Sequence, residues 1–449
     1  MRLFQRVFAA FISVLLLVSF VSCGEEEISA DSALERLIGK EALASHQTRL
    51  EENETPYTLC FQNKDASHSI YVFSTPISFF EEDGTLSLID TELVSVSHKE
   101  SKEGYWKKTK NSPVESYFPK SFDKAKIQIR KGEESLYLAP LSPVGNAKKS
   151  QAVQDEIGRW VPAASYEAKG EAEYTFLPTA TGVTAVVTWN QKPKSNQISF
   201  VISGVEKKEA ENGSHQYLLF SAEESAIFHN SYISDSQGNV SFGNAIEFSS
   251  QEEKTTVTVT LPQDFLEKAS YPITFRPSLE WVSESKVDAT LYESDTAALP
   301  NASVIPTCRS EWGTNPQHYM KFSVNTVCKT YQENVKQASL HLFALEGKEA
   351  KGELQRVRNH WKEESLQNET PIPYQRETEL KGSGNSRIQA DVTEFIRDCV
   401  HDDTYYTEAY GLVWLPSETS DSVLTSYDHA RYQSYLRLDL WDAPWVYEK

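Results

Sequence analysis

The sequence is poor in sulfur and has too few basic residues to balance its acidic ones. Its 449 residues include five Cys and two Met, and 44 Lys and Arg stand against 64 Asp and Glu, for a net charge of −20. No cysteine has the C-x-x-C spacing and no histidine cluster accompanies them, which argues against a zinc site. An acidic surface repels phosphates, which argues against DNA or RNA as a partner.

Sequence signatures of common catalytic sites are also missing. The chain has no G-x-S-x-G, no H-E-x-x-H, no P-loop and no G-x-G-x-x-G. No pair of carboxylates stands out for glycoside hydrolysis against so many solvated acids. We therefore predict a protein that is not an enzyme and needs no cofactor. A polysaccharide lyase or glycoside hydrolase is the least favoured alternative.

The longest apolar run lies at the N-terminus and is too short to span a membrane. Val7 to Val18 follows two arginines, and Val21-Ser22-Cys23 comes soon after it. This pattern is typical of a secretory signal, and Val-Ser before a cysteine resembles the lipobox of bacterial lipoproteins. We expect residues 1–22 to be a lipoprotein signal peptide and Cys23 to be the lipidation site. The protein would then lie outside the cytoplasm, at the cell surface, attached to the membrane only by its lipid. The alternative is an ordinary signal peptide with an incidental Cys23.

Four cysteines remain after Cys23, and outside the cytoplasm they can form disulfides with three connectivities. Cys308 and Cys328 are the favoured pair, because strands flanking one loop would bring them together.

Strand-forming segments dominate from residue 56 onward. Short β-prone runs alternate with turn residues, as in the hairpins predicted over 70–90 and 126–141, and no long amphipathic helix interrupts residues 57–277. We predict an antiparallel β-sandwich region over 56–277, built as one unit or as two packed subdomains. Residues 23–55 are polar and acidic, and we expect an acidic linker with one short helix there.

Residues 278–449 are again rich in predicted strands, including Ala338 to Ala344 and Gly352 to Arg356. Only Asp391 to Cys399 has the apolar spacing of a helix. This pattern predicts a C-terminal jelly-roll β-sandwich with one short helix. The fold class predicted for the whole protein is therefore all-β.

Several segments of the C-terminal region occur in a family order. They are Asp288 to Tyr292, His318 to Phe322, Ala338 to Leu342, Val357 to Asn368, Asp391 to Thr393, Tyr410 to Val413 and Leu424 to Ser426. The region resembles a DNRLRE domain, a jelly-roll module of secreted bacterial proteins that is related to carbohydrate-binding modules. Upstream, Ile70 to Asp90, Asn111 to Pro119 and Tyr271 to Pro277 are similar to the region before DNRLRE domains in wall-associated RHS-type proteins. The resemblance implies a noncatalytic module.

Sugar rings stack on exposed aromatic side chains, so aromatics in loops are the candidate ligand-binding residues. Trp312 lies in one polar loop, and Tyr405 and Tyr406 lie in another. The alternative is that these side chains pack their loops onto the edge of the sandwich. Trp414 and Trp441 lie in predicted strands, and we expect both in or near the core.

No metal site is predicted. Asp288, Glu293 and Asp295 are the nearest candidates for a structural Ca²⁺, but ordinary charges at strand ends are the favoured interpretation.

Together these features favour a noncatalytic, lipid-anchored surface protein whose C-terminal jelly roll binds a polysaccharide or a surface partner. The alternative is a structural stalk or a protein–protein interaction module of the cell envelope that binds no sugar.

Overall fold

The computed structural model describes residues 32–148, 152–204, 206–207, 216–220, 225–229, 231–251, 254–281, 288–291, 298–300, 304–307, 316–320, 330–357, 373–401, 411–426, 429 and 431–443. Its helices are α1 (Ala33–Ile38), α2 (Lys40–Ser45), α3 (His98–Lys102), α4 (Gln263–Lys268) and α5 (Thr393–His401), with 3-10 turns at Glu51–Asn53 and Gln332–Asn334. Among these residues, no helix combines the length and the apolar character that crossing a membrane requires.

All other regular elements are β-strands. The first are β1 (His46–Arg49), β2 (Thr58–Asn63), β3 (His68–Phe73), β4 (Ser78–Phe80), β5 (Leu86–Leu88), β6 (Asp90–Ser95), β7 (Tyr105–Asn111), β8 (Val114–Pro119), β9 (Ile127–Lys131), β10 (Glu134–Pro140), β11 (Val144–Ala147), β12 (Val153–Gln154) and β13 (Trp160–Val161). Next are β14 (Ala164–Ala168), β15 (Glu173–Pro178), β16 (Gly182–Trp189), β17 (Gln197–Ser203), β18 (Glu206–Lys207), β19 (Gln216–Phe220), β20 (Ser225–His229), β21 (Ile233–Asp235), β22 (Val240–Ser241), β23 (Ala245–Gln251), β24 (Lys254–Thr260), β25 (Ile273–Phe275) and β26 (Ser278–Trp281). The last are β27 (Asp288–Leu291), β28 (Ala298–Pro300), β29 (Val304–Pro306), β30 (Gln317–Met320), β31 (Val335–Val357), β32 (Pro373–Ser383), β33 (Ser386–Asp391), β34 (Leu412–Pro416), β35 (Asp421–Thr425) and β36 (Tyr435–Leu440).

Two antiparallel sheets enclose the core of a central sandwich over residues 90–281. One has the order β23-β24-β17-β10-β9-β8-β7-β6, and the other follows β11-β14-β15-β16-β26-β20-β19-β18 with β21, β22 and β25 attached. Side chains alternate between the two faces of a strand, so Ile198, Phe200 and Ile202 of β17 all enter the shared core. The predicted hairpin over 126–141 is β9–β10, and the one predicted over 70–90 is the shorter β4–β5. The prediction of an antiparallel β-sandwich is confirmed, but this sandwich begins at β6, and the strands before β6 belong to other sheets.

The third large sheet is built around one bent strand. β31 pairs with β36, β35 and β34 in succession along one edge, and with β33 and β32 along the other. The register shifts on both sides of Gly347, whose φ is +98°, and this is where the strand bends. The separate strands predicted at Ala338 to Ala344 and Gly352 to Arg356 are therefore two halves of a single strand.

The N-terminal strands belong to this same sheet. β1, β2 and β3 form a meander, and β3 pairs with β36 from His68–Leu440 to Phe73–Tyr435. The sheet therefore crosses the predicted division between residues 56–277 and 278–449.

In the described part of the predicted linker, residues 32–55, there are two α-helices, a strand and a 3-10 turn. Leu37 and Leu43, from α1 and α2, pack against an aromatic cluster on the sheet that includes Tyr71 and Tyr435. Arg387 of β33 donates to the carbonyl oxygens of Leu37 and Ile38 and so holds the end of α1.

Helix α5 closes the core on the other face of the sheet. It lies where the sequence predicted the only helix of the C-terminal region, and Phe395, Ile396 and Cys399 pack there with Leu412 and Trp414. The predicted all-β class, with antiparallel sandwiches, is confirmed.

Candidate functional site

The candidate residues from the sequence fall outside the described residues. They are Cys23, Cys308, Cys328, Trp312, Tyr405, Tyr406, Glu293 and Asp295, and of Asp288 only the backbone in β27 is described. Cys60 and Cys399 are described, and both are buried thiols. The lipid anchor, the disulfide and the ligand-binding role of the loop aromatics therefore stay predictions.

A different aromatic residue is exposed in the C-terminal sandwich. Trp414 is buried as expected, but Trp441 is 56% exposed. The expectation that Trp441 is in or near the core was wrong, and the cause is the alternation along β36. Leu438 and Leu440 are buried, so Trp441 continues the opposite face, which carries Asp439. Counting from these leucines would have found this exposed position in the sequence.

A second exposed aromatic, Tyr331, is 44% exposed and contacts Asp442, the residue after Trp441. Its hydroxyl donates to Asp442 Oδ2 at 3.3 Å. The other exposed large apolar side chains in the described residues, Tyr57, Phe80 and Leu141, are scattered over other elements. Single exposed apolar residues are normal on a protein surface, whereas two linked aromatics suggest a contact surface.

Buried Asn334 fixes the backbone beneath these aromatics. Its carbonyl oxygen accepts from the Trp441 backbone N–H at 3.0 Å, and its Oδ1 accepts from the Asp442 backbone N–H at 2.7 Å. Its Nδ2 donates to the Asp442 carbonyl oxygen at 3.3 Å. We call Tyr331, Asn334, Lys336, Trp441 and Asp442 the Trp441 surface.

Charged groups surround the indole. Lys336 Nζ lies over one face of the Trp441 ring, 4.7 Å from its centroid, and also contacts Asp65 Oδ2 at 2.7 Å. The Lys336 hydrogen bond, with further ones from Ser67, holds the pKa of the Asp65 carboxyl well below its ordinary value. Desolvation and then the Asp442 charge raise the pKa of Tyr331, so its phenol stays protonated at neutral pH. The surface thus offers an aromatic face, donors and carboxylate acceptors within a few residues.

Chemically, this arrangement suits binding of a polar ligand. The described ranges contain no cluster of three or more His, Cys, Asp or Glu side chains that could hold a metal ion.

Comparisons with family models, with curated proteins and with solved structures found no match to this chain.

Proposed function

We propose that this chain is a noncatalytic, lipid-anchored protein of the cell surface whose C-terminal sandwich binds a polysaccharide through the Trp441 surface. The single observation that carries the proposal is that Trp441 and Tyr331 are both exposed within one group of hydrogen-bonded residues, the Trp441 surface. The resemblance to DNRLRE domains, which are related to carbohydrate-binding modules, supports the same function.

The contacts that such a surface makes with a sugar follow from its chemistry. The C–H face of a pyranose stacks on an indole, and its hydroxyls bond to charged and amide groups at the ring edge. Lys336 covers one face of the Trp441 ring, so the sugar would stack on the opposite face. Because Asn334 holds the backbone of Trp441 and Asp442, little conformational entropy is lost on binding.

Binding is tested on a glycan array with the full chain after residue 22, comparing Trp441→Ala with Phe80→Ala. Phe80 is 57% exposed on β4, so its variant removes a similar aromatic surface elsewhere. We expect Trp441→Ala to weaken glycan binding by about tenfold or more, equivalent to ~1.4 kcal/mol. Phe80→Ala should bind as the wild type does.

Two results would contradict the proposal. One is an array with no bound glycan, and the other is a Trp441→Ala variant that binds normally. If Trp312→Ala abolishes binding while Trp441→Ala does not, the contact lies in the predicted loop and the Trp441 surface is wrong. Release of new reducing or unsaturated ends from the bound glycan would contradict a noncatalytic role.

A further inference from the structure

A cleft lies where the central sandwich meets the N-terminal and C-terminal segments. It encloses about 630 Å³, counting the part open to solvent. Its apolar wall comes from α1, from the residues around β4 to β6, and from the central sandwich. The wall includes Leu37, Pro76, Ile77, Pro162, Leu177 and Pro178.

In the part of the chain that the structure describes, every ionisable side chain on the cleft wall is an arginine. Arg36, Arg159 and Arg431 line it, although the chain as a whole has a net charge of −20. Each arginine has a carboxylate partner, but none of these carboxylates lines the cleft. The pairs are Arg36 with Asp90 at 3.1 Å, Arg159 with Asp155 at 2.9 Å and Arg431 with Glu156 at 2.7 Å.

Three residues of the cleft wall carry buried polar atoms without a hydrogen-bond partner. The Arg431 side chain is 7% exposed, and its Nη2 donates to Glu156 Oε1, while Nε and Nη1 have no hydrogen-bond partner. Thr179 Oγ1 and Gln433 Oε1 are likewise buried and unpartnered. A buried polar group without a partner is unfavourable, and a charged one more so, so a ligand that bonds to these atoms would stabilise the protein.

Arg36 is buried close to Arg159. Burial lowers the pKa of its guanidinium, and the charge of Arg159 lowers it further against the effect of Asp90. Arg159 also donates to the Arg36 carbonyl oxygen, which keeps the two arginines together. An anion in the cleft would stabilise both charges.

We propose that this cleft is a second binding site, for a small carboxylate with an aliphatic body. The carboxylate would bond to Arg431 and its neighbours, the body would lie against the proline and aliphatic wall, and Gln433 would accept from a hydroxyl or amide on the ligand. Among the residues that the structure describes, no aromatic side chain lines the cleft, and this separates its chemistry from the stacking proposed at Trp441.

The test uses Thr91, a half-buried residue of β6 that lines the cleft. Thr91→Glu adds a carboxylate there, and Thr91→Gln adds a side chain of nearly the same size without charge. Butanoate, hexanoate and octanoate are titrated calorimetrically into the full chain after residue 22, with hexanamide and inorganic phosphate as comparison probes. We expect the carboxylates to bind better than hexanamide. Thr91→Glu should weaken them by about tenfold or more, and Thr91→Gln by less than about threefold.

The alternatives have distinct results. Hexanamide binding as well as hexanoate, or equal losses in the two Thr91 variants, would overturn the role of charge. Tighter binding of phosphate would overturn the ligand class, and no binding by any carboxylate would overturn the site. Glycan binding by these variants reports on the Trp441 surface separately.

Discussion

At the residue scale, burial sets the charge of Glu280 on β26. Its carboxylate accepts from Thr181 Oγ1 at 3.0 Å and lines a small internal cavity together with Arg431 and His429. Burial raises the pKa of Glu280 to about 7, against the effects of Ser278, Thr181 and Arg431. Burial also lowers the pKa of His429 to about 3, so that histidine is neutral over the range in which Glu280 titrates.

The raised pKa predicts a pH dependence of stability. Between the ordinary pKa of 4.5 and about 7, the folded chain binds more protons at this site than the unfolded chain. The free energy of unfolding therefore falls as pH rises through this window, by about 3 kcal/mol in total, and this contribution is constant above it. Urea unfolding measures this free energy at pH values between about 5 and about 8. In Glu280→Gln, the free energy of unfolding should lack the part of the decrease that Glu280 contributes.

The matched control is Glu247→Gln, which changes an exposed glutamate on β23 and should keep the wild-type pH profile. A Glu280→Gln profile that falls as steeply as the wild type would assign the dependence to another group.

At the scale of an element, the bend of β31 depends on one glycine. A Cβ on Gly347 would lie 2.2 Å from the Asp421 carbonyl oxygen and 2.6 Å from the Ser422 Cα, and its φ of +98° disfavours any L side chain. Gly84, in the β4–β5 hairpin, has a similar φ of +83° but no heavy atom within 4 Å of an added Cβ. Comparing a substitution at Gly84 with one at Gly347 therefore separates the cost of backbone strain from the cost of a steric clash with the neighbouring strand.

Gly347→Ala should destabilise the protein by about 3 kcal/mol or more, because both strain and clash apply. Gly84→Ala should cost about 1–2 kcal/mol, from strain alone. Denaturant unfolding of both variants measures the difference. Equal losses would mean that β35 moves away from β31 without cost, which the close pairing of these strands argues against.

At the scale of the whole molecule, buried contacts join the central sandwich to the C-terminal sheet. Glu156 of the central region accepts from Arg276 at 2.8 Å and from Arg431 at 2.7 Å, and the Tyr432 hydroxyl also donates to it. Tyr232 and Tyr432 lie in one apolar cluster beside these charges. The cleft lined by Arg36, Arg159 and Arg431, here called the arginine cleft, takes its wall from both parts. Binding experiments therefore need the full chain.

The proposed lipid anchor would attach the whole molecule to the membrane. Each buried methylene of an acyl chain contributes about 0.8 kcal/mol to membrane binding, whereas an acidic body gains nothing from anionic headgroups. Expressed with its own leader, the wild-type chain should partition into the detergent phase, and Cys23→Ser should remain in the aqueous phase. Cys60→Ser is the control, because a serine hydroxyl also donates to the Asn53 carbonyl oxygen that Cys60 contacts. A Cys23→Ser chain that still enters detergent would contradict the anchor.

Local pattern alone determined the fold class and several strands of the central region, among them β9, β10, β16, β17 and β24. The alternation of Ile198, Phe200 and Ile202, and the turn at Gly132 between β9 and β10, are properties of neighbouring residues, so they are readable without tertiary contacts. The spacing of α5 was readable for the same reason.

Tertiary structure alone decided the pairing of β3 with β36, the continuity of β31 and the arginine cleft. Each brings together residues far apart in the chain, such as Arg36 and Arg431, and no local period encodes which distant partner a strand or charge will meet. Trp441 lies between these cases. Its alternation with Leu440 was present in the sequence, but its proximity to Tyr331 and Lys336 follows only from the pairing of β36 with β31.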